Sequence, residues 1–267
     1  MTREWFPHEL VPWGLGRDFD PGVPWDPAES GLPPAIRSAL FVNILTEDNL
    51  PYYFHAICRL FSEGGPFGEW SRRWTAEEHR HSIVIRNWLT VTRAIDPVEL
   101  ERSRMAQVST GMAYAAAIQG PQQGLVYVTL QELATRISHR NTGRLLEDGY
   151  GNEIMSRVAN DENLHFLFYR DMAAAALEID PSGMVLASAA QVRGFQMPGT
   201  GIPDFAIHHD QILVPVVLRH WRLESIEGLS PEAEVARGKT VRYIQRMARV
   251  SRRLTERREE MASVGQA

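Results

Sequence analysis

Apolar residues recur at three- and four-residue intervals through most of the chain after residue 34, which is the spacing of one face of an α-helix. Pro51 lies within the first long stretch of this pattern and should bend the helix there, because proline removes a backbone hydrogen bond. Strand-like alternation is almost absent, so we predict an all-α fold. Four long helices are predicted, at 35–61, 70–94, 122–147 and 151–178.

The segments around these helices have other patterns. Residues 1–34 are rich in Pro, Gly and Trp and should be extended and irregular. A shorter connecting helix is predicted at 98–121, ending at Gly120-Pro121. We expect one domain over 1–267, in which 35–178 form the ligand-bearing bundle and 179–267 add helices with a charged C-terminal one. The added helices are predicted at 182–194, 208–223 and 231–260.

Charge and cysteine content narrow the class of protein. A formal net charge of −5 argues against a chain-wide attraction to nucleic acid. Cys58 is the sole cysteine, which excludes an intrachain disulfide and a thiolate metal site. The chain has no apolar run of about 18 residues, and its first residues are charged where a signal peptide is apolar. We therefore expect a soluble, cytoplasmic protein that does not insert into a membrane.

Two Glu-x-x-His motifs carry the candidate chemistry, Glu78/His81 and Glu162/His165. Residues three apart on a helix share a face, so each motif can offer a carboxylate oxygen and an imidazole nitrogen to one ion. Two such pairs can arise by chance in a chain of this composition, and the surrounding sequence has to decide. Thr75-Ala-Glu-Glu78 also fits a capping box, which would make Glu78 a helix-start residue.

The context of the two motifs is a repeat. Glu47 lies in the predicted helix 31 residues before Glu78, and Glu132 lies in the helix 30 residues before Glu162. Each half of the bundle thus has a helix with one Glu followed by a helix with Glu-x-x-His, the ligand plan of ferritin-like di-iron carboxylate proteins. Glu47 could alternatively be a solvated helix residue. We favour a ferritin-like four-helix bundle with a carboxylate-bridged di-iron core.

The residue types also indicate the metal and its surroundings. Oxygen-rich ligation with one imidazole per ion suits iron or manganese better than zinc or copper, and we favour iron. Glu77 and Asp161 each precede a motif and are candidates to orient the ligand histidines through their second ring nitrogen. His79 and His139 lack a Glu three positions earlier and are interpreted as surface or orienting residues rather than ligands.

At these motifs the sequence resembles the soluble acyl-acyl carrier protein desaturases. The resemblance covers roughly residues 5–225 and is closer to the actinobacterial branch than to the plant stearoyl enzymes. It is carried by four segments in the same order and spacing: Leu45-Thr-Glu-Asp-Asn-Leu-Pro51, Trp74-Thr-Ala-Glu-Glu-His-Arg-His81, Gln131-Glu-Leu-Ala-Thr-Arg-Ile-Ser-His-Arg-Asn-Thr142 and Asp161-Glu-Asn-Leu-His165.

The resemblance implies a role for each ligand candidate. Glu47 and Glu132 would be terminal carboxylate ligands and Glu78 and Glu162 bridging ones, with His81 and His165 as the imidazole ligands.

Catalytic and channel residues are implied in the same way. Thr135 would lie beside the oxygen-binding face, and Trp5 with Asp161 and His81 would form an electron path from the surface to iron. Thr135 could alternatively be an ordinary helix threonine, and Trp5 a packing residue. Core packing would equally explain the positions that match the acyl channel, Tyr53, Ile57, Gly124 and Leu125.

The implied reaction is dioxygen-dependent removal of two hydrogens from adjacent methylenes of an acyl chain on acyl carrier protein, giving a cis double bond and water. The cofactor would be two Fe ions. No nucleotide or flavin is expected, because no Gly-rich dinucleotide loop follows a strand, so the electrons would come from NAD(P)H through ferredoxin reductase and ferredoxin. A homodimer is also implied. Arginines could contact the acidic carrier protein, at Arg72-Arg73 and at Arg252, Arg253, Arg257 and Arg258.

Three departures from the family keep alternatives open. Only four residues precede Trp5 where family members have a longer helical region, the region near 195–212 is shorter, and His79 replaces an Asn. A di-iron monooxygenase and a non-catalytic acyl-binding paralogue remain the alternatives. A ferritin-like iron store or radical-generating subunit is disfavoured, since ferritins have shorter helices and radical subunits have Asp where Glu47 stands.

Overall fold

The computed structural model describes residues 3–110, 118–197, 223–243 and 245. The prediction of an all-α fold is confirmed, because these residues contain helices and no strand. The main helices are α1 (Pro7–Leu10), α2 (Pro34–Glu47), α3 (Leu50–Phe61), α4 (Gly65–Val91), α5 (Pro97–Thr110), α6 (Gly120–Leu145), α7 (Gly149–Ile179) and α8 (Pro181–Gly194). None of the described helices is long and apolar enough to cross a membrane.

Two prolines begin helices where other boundaries were predicted. The predicted bent helix at 35–61 is two helices, because a turn at Asp48-Asn49 separates α2 from α3 and Pro51 lies in the first turn of α3. Gly120, at φ +81°, and Pro121 begin α6 instead of ending the connecting helix. The physical reason is the same at both places: the first turn of a helix needs no N–H from proline.

Some predicted helices are only partly described. The helical residues 231–243 belong to the predicted helix 231–260, whose remainder lies largely outside the described residues. The predicted helix at 208–223 also lies outside them, apart from Leu223, which begins a short 3-10 turn (Leu223–Ser225).

The described chain separates into two compact units, and helices α6 and α7 each contribute residues to both. The first unit comprises Met1–Ala117 and Thr135–His165, and the second comprises Ile118–Ala134 and Phe166–Ala267. The single domain over 1–267 stays a prediction.

Helix α4 carries the site of the first unit on its buried face. Its buried positions follow one another at helical spacing from Gly68 to Leu89 and include two large apolar residues, Trp74 and Trp88. Between these residues the same face carries Glu78 and His81, so polar side chains occupy core positions. The apolar core beside them includes Leu40 and Ile44 of α2, Ile85 and Leu89 of α4, and Ile154 of α7.

The irregular N-terminal segment packs on the end of α4. Trp25 Nε1 donates to the carbonyl oxygen of Arg93 at 3.0 Å, and Ser30 Oγ donates to that of Ala94 at 2.8 Å. The segment therefore caps backbone oxygens that follow α4.

In the second unit, polar contacts join α8 and the residues after it to the beginning of α6. Asp180 caps α8 by accepting from Gly183 N, and it lies 3.4 Å from Gln122 Nε2. Tyr127 donates its hydroxyl to the carbonyl oxygen of Gln196 at 3.1 Å. The buried side chains of this unit include Val126, Leu130, Tyr169 and Met184.

The start of α7 packs closely on α4. Asp148 accepts hydrogen bonds from the backbone N–H groups of Tyr150 and Gly151 and from Trp88 Nε1, which caps α7 and fixes the buried indole. A Cβ at Gly151 would lie 2.4 Å from the Trp88 ring, so glycine is required for this approach.

We predict that Gly151→Ala destabilises the protein by about 1–3 kcal/mol in urea unfolding, because the added methyl group overpacks against Trp88. Gly149→Ala is the matched control, since nothing lies within 4 Å of its Cβ position and alanine favours a helix. Equal stability of the two variants would contradict the close approach.

Candidate metal centre

Helices α2, α4 and α7 bring acidic and histidine side chains together in the core of the first unit. Ligand atoms of Glu47, Glu78, His81 and Glu162 all lie within 4.8 Å of one another. Glu78 and Glu162 approach His165 in the same way. Each of these five residues is at most 7% exposed. Helix α4 begins thirteen residues before Glu78, so the capping-box interpretation of Glu78 is wrong.

Two of the carboxylates face both histidines. One oxygen of Glu78 lies 3.5 Å from His81 Nδ1 and the other lies 2.7 Å from His165 Nδ1. Glu162 repeats this arrangement at 3.4 Å and 4.0 Å. Of the two histidines, Glu47 approaches His81, and its Oε2 lies 3.7 Å from His81 Nδ1. Among the carboxylates of the first unit, Glu78 and Glu162 are thus central and Glu47 is peripheral.

The Nε2 atom of each histidine faces an acidic side chain, which belongs to the other of the two helices α4 and α7. His81 Nε2 of α4 lies 3.4 Å from Asp161 Oδ2 of α7, and His165 Nε2 of α7 lies 3.1 Å from Glu77 Oε2 of α4. Such contacts fix which ring nitrogen faces the cluster. Spacing along the chain leaves open which acid faces which histidine, and the observed pairs cross between α4 and α7.

Arginines of α4 lie behind both acids. Arg73 Nε donates to Glu77 Oε1 at 2.6 Å. Arg80 Nη2 lies 3.5 Å from Asp161 Oδ2, and the Arg80 guanidinium carbon lies 4.9 Å from the centre of the Trp5 ring. Spacing along α4 does not single out Arg80, because its contacts depend on Trp5, 75 residues earlier in the chain.

Trp5 is 4% exposed and packs against this network. Its Nε1 donates to Asp161 Oδ2 at 2.8 Å, and its ring is parallel to that of His81 within 6°, with centroids 6.5 Å apart. Trp5, Asp161 and His81 therefore form one continuous chain of contacts.

Helix α6 contributes two further contacts to the carboxylates. Thr135 Oγ1 donates to Glu162 Oε2 at 3.1 Å, and His139 Nε2 lies 2.9 Å from Glu47 Oε1. Glu132 is fully buried one turn before Thr135 on the same helix. The spacing of 132, 135, 139 and 142 is that of one helix face, a signal that could have identified the buried position of His139. His79, by contrast, is exposed.

The four channel candidates are not brought together in one described unit. Tyr53 and Ile57 lie one turn apart on α3, where Ile57 is buried. Gly124 and Leu125 are buried near the start of α6. Their lining of a channel stays a prediction.

The buried carboxylates of the cluster require a compensating positive charge. Burial raises the pKa of Glu47, but contacts with His139 and His81 outweigh it and leave the pKa lowered. Burial lowers the pKa of His165, yet its contacts with Glu77 and Glu78 raise it to about 9. For His81, the charge of Glu78 and the contact with Asp161 outweigh burial, so its pKa lies well above the usual value. A bound cation meets the same demand.

The donor set fits a metal ion. His81 Nδ1 is buried, faces three carboxylates and has no hydrogen-bond partner among the described residues. Carboxylate oxygens with imidazole nitrogens are ligands that iron and manganese accept. These residues can therefore hold a metal ion.

Similarity to known proteins shows which family the chain belongs to. Residues 1–212 match the family described as fatty acid desaturase. DesA1 of Mycobacterium tuberculosis, named as an acyl-[acyl-carrier-protein] desaturase, is 38% identical over 255 residues, which cover 87% of this chain and 75% of that protein. The chloroplastic stearoyl-[acyl-carrier-protein] 9-desaturase 6 of Arabidopsis thaliana is 29% identical over 263 residues, covering 87% of this chain and 67% of that one.

A solved structure agrees with this assignment. The X-ray structure of DesA2 from Mycobacterium tuberculosis H37Rv, titled as an acyl-ACP desaturase, matches with a TM-score of 0.69 and 26% identity over 85% of this chain and 88% of that chain. The chain belongs to the fatty acid desaturase family, and the resemblance to the actinobacterial acyl-acyl carrier protein desaturases is confirmed.

We predict that divalent iron or manganese raises the melting temperature of chelator-treated protein by about 5–10 °C, because a cation relieves the repulsion among buried carboxylates. Glu78→Gln should reduce this shift. Glu101→Gln is the control and should leave it unchanged, because the Glu101 side chain on α5 is exposed. A melting temperature that ignores both metals would contradict a metal site here.

Proposed function

We propose that this protein is a dioxygen-dependent acyl-[acyl-carrier-protein] desaturase that introduces a cis double bond into the carried acyl chain. The observation that carries the proposal is the buried pair Glu78 and Glu162, each facing both histidines, in a member of the fatty acid desaturase family. The names of the mycobacterial and plant relatives support acyl carrier protein as the substrate carrier.

Six residues are proposed to hold two iron ions. The distances favour Glu78 and Glu162 as bridging ligands and Glu47 as a terminal ligand beside His81. Glu132 would be the second terminal ligand, beside His165. Its burial one turn from Thr135, which contacts Glu162, supports this assignment.

The iron pair, when bound, supplies the redox chemistry that reduces dioxygen and removes hydrogen from the acyl chain. The protein's own residues orient and isolate that pair. Asp161 and Glu77 hold the imidazoles so that Nδ1 of each faces the carboxylates, and burial keeps bulk water from the ligands. The Thr135 hydroxyl would hold a proton beside Glu162.

Trp5 is proposed as the entry point for electrons. Its hydrogen bond to Asp161, which approaches His81, supports a path to the metal ligands. Ferredoxin, reduced by ferredoxin reductase, would deliver the two electrons per turnover.

Oligomeric state and location complete the proposal. We infer a homodimer, which light scattering would test. A cytoplasmic location is supported by the single cysteine, Cys58, which permits no intrachain disulfide. Cell fractionation that recovered the protein elsewhere would contradict that location.

Incubating the iron-loaded protein with stearoyl and palmitoyl carrier protein, reduced ferredoxin and oxygen should give a mono-unsaturated acyl product by mass spectrometry. A hydroxylated product alone would instead favour a monooxygenase, and no product with bound acyl chains would favour a non-catalytic paralogue. The proposed channel is tested by Gly124→Leu with the same stearoyl and palmitoyl carrier proteins. The larger leucine side chain should shift the enzyme's substrate preference toward the shorter acyl chain.

Thr135→Val should lower product formed per oxygen consumed by about tenfold or more, because valine keeps the shape and removes the proton donor. Thr135→Ser, which keeps the hydroxyl, should retain most of the coupling. Oxygen-electrode and product measurements on the same samples give the ratio. Equal ratios in both variants would exclude the hydroxyl from the reaction.

Trp5→Phe should slow oxidation of reduced ferredoxin about 10- to 100-fold in stopped-flow measurements, because it removes the hydrogen bond to Asp161. Trp13→Phe is the control, since Trp13 is 50% exposed and donates to the backbone oxygen of His8. Similar slowing in both variants would exclude a specific path through Trp5.

A further inference from the structure

An arginine row follows α6 within the first unit, formed by Arg136, Arg140 and Arg144. Their four-residue spacing places successive members on adjacent turns of one side of the helix, over about 12 Å. Arg140 and Arg144 are exposed, and Arg136 is half-buried. A basic surface of this kind is notable in a chain with a net charge of −5.

The arginine row has no acidic counterpart among the residues that the structure describes. No carboxylate there forms an ion pair or hydrogen bond with any of the three side chains. Burial and the neighbouring charge of Arg140 lower the pKa of Arg136, which reflects the same lack of compensation. Like charges four residues apart destabilise a helix, so an acidic partner would relieve a cost that the free protein bears.

The other described arginine pair proposed as a carrier contact is engaged within the protein. Arg73 pairs with Glu77, behind His165, and Arg72 Nη1 donates to the carbonyl oxygen of Glu63 at 2.9 Å. These two arginines therefore serve the metal centre and the start of α4. Unlike Arg73, the three arginines of the row pair with no carboxylate among the described residues.

The position of the row distinguishes between two acidic partners. Trp5, the proposed entry point for electrons, packs against Arg80 of α4 and Asp161 of α7. Helix α6 instead meets α2, through Ser138 and Asn43, as well as α7. An electron donor at Trp5 would thus contact different helices from a partner on the outer side of α6.

The row also lies next to the residues of α6 that contact the metal centre. Arg136 follows Thr135 and Arg140 follows His139, whose side chains reach Glu162 and Glu47. Beyond Arg144, two large apolar side chains are exposed, Leu145 at 64% and Tyr150 at 50%. A basic row with an apolar end is suited to an acidic protein surface.

We propose that the arginine row of α6 is the docking surface for the acidic acyl carrier protein, an inference that rests on the proposed desaturase function. Its carboxylates pair with the three guanidinium groups, and this contact positions the carrier beside the helix that supplies Thr135 to the metal centre.

The test compares two double variants of equal charge. Arg140→Gln/Arg144→Gln removes two members of the row without introducing a poor helix former. Arg102→Gln/Arg193→Gln is the control, because both of its arginines are exposed and outside the row. We expect the row variant to bind stearoyl carrier protein about tenfold more weakly at low salt, and the control to change less than about twofold.

The difference should shrink as salt increases, and in turnover KM should rise while kcat stays unchanged. Equal weakening in both variants would reduce the effect to net charge and overturn the proposal. Weakened binding of ferredoxin alone would assign the row to the electron donor, and a changed molar mass in light scattering would assign it to a second copy of the chain. Both outcomes also overturn the proposal.

Turnover and carrier-protein binding by the wild-type protein distinguish failure of the docking surface from failure of the proposed desaturase function. If it forms no unsaturated product and binds no carrier protein, the desaturase function itself fails. If it turns over normally and the row variant binds the carrier as tightly as wild type, only the docking surface is wrong.

Discussion

The mutual repulsion of buried carboxylates is the constraint on which this structure depends. Glu47, Glu78 and Glu162 are nearly inaccessible to water and lie within 4.8 Å of His81 ligand atoms and of one another. Groups of this kind are tolerated in a core only when paired with positive charge and hydrogen bonds. The histidines supply part of that charge, and the raised pKa values of both imidazoles are its direct consequence.

Helix packing holds these groups in place against their repulsion. Helix α4 presents Glu78 and His81 on the same buried face as Trp74 and Trp88, so large apolar side chains lie on both sides of the polar ones along the helix. The close approach of α7 at Gly151 fixes its register against α4, and with it the distance between the two Glu-x-x-His motifs. The contact at Gly151 and most of the candidate metal ligands therefore lie at the same interface, between α4 and α7.

The surroundings of the two histidines are similar in plan and different in access. Each imidazole contacts an acid from the opposite helix, and each acid contacts an arginine of α4. Trp5 adds an indole on the His81 side, whereas Trp70 and Trp74 lie edge-on to His165. Of the two histidines, it is therefore His81 that lies on the proposed electron path, through Trp5 and Asp161.

Local spacing determined much of this protein by itself. The 3.6-residue period predicted the four long helices to within a few residues, except at Pro51 and Gly120-Pro121, and the three-residue spacing placed each Glu and His on one face. The match of Glu47 and Glu132 to the two motifs predicted a ferritin-like centre. The family resemblance implied the contact between Asp161 and His81, but only the tertiary structure decided that Glu77 contacts His165 and that His139 contacts Glu47. These pairs are 80 or more residues apart, and periodicity along one helix carries no information about which residue of another helix it will face.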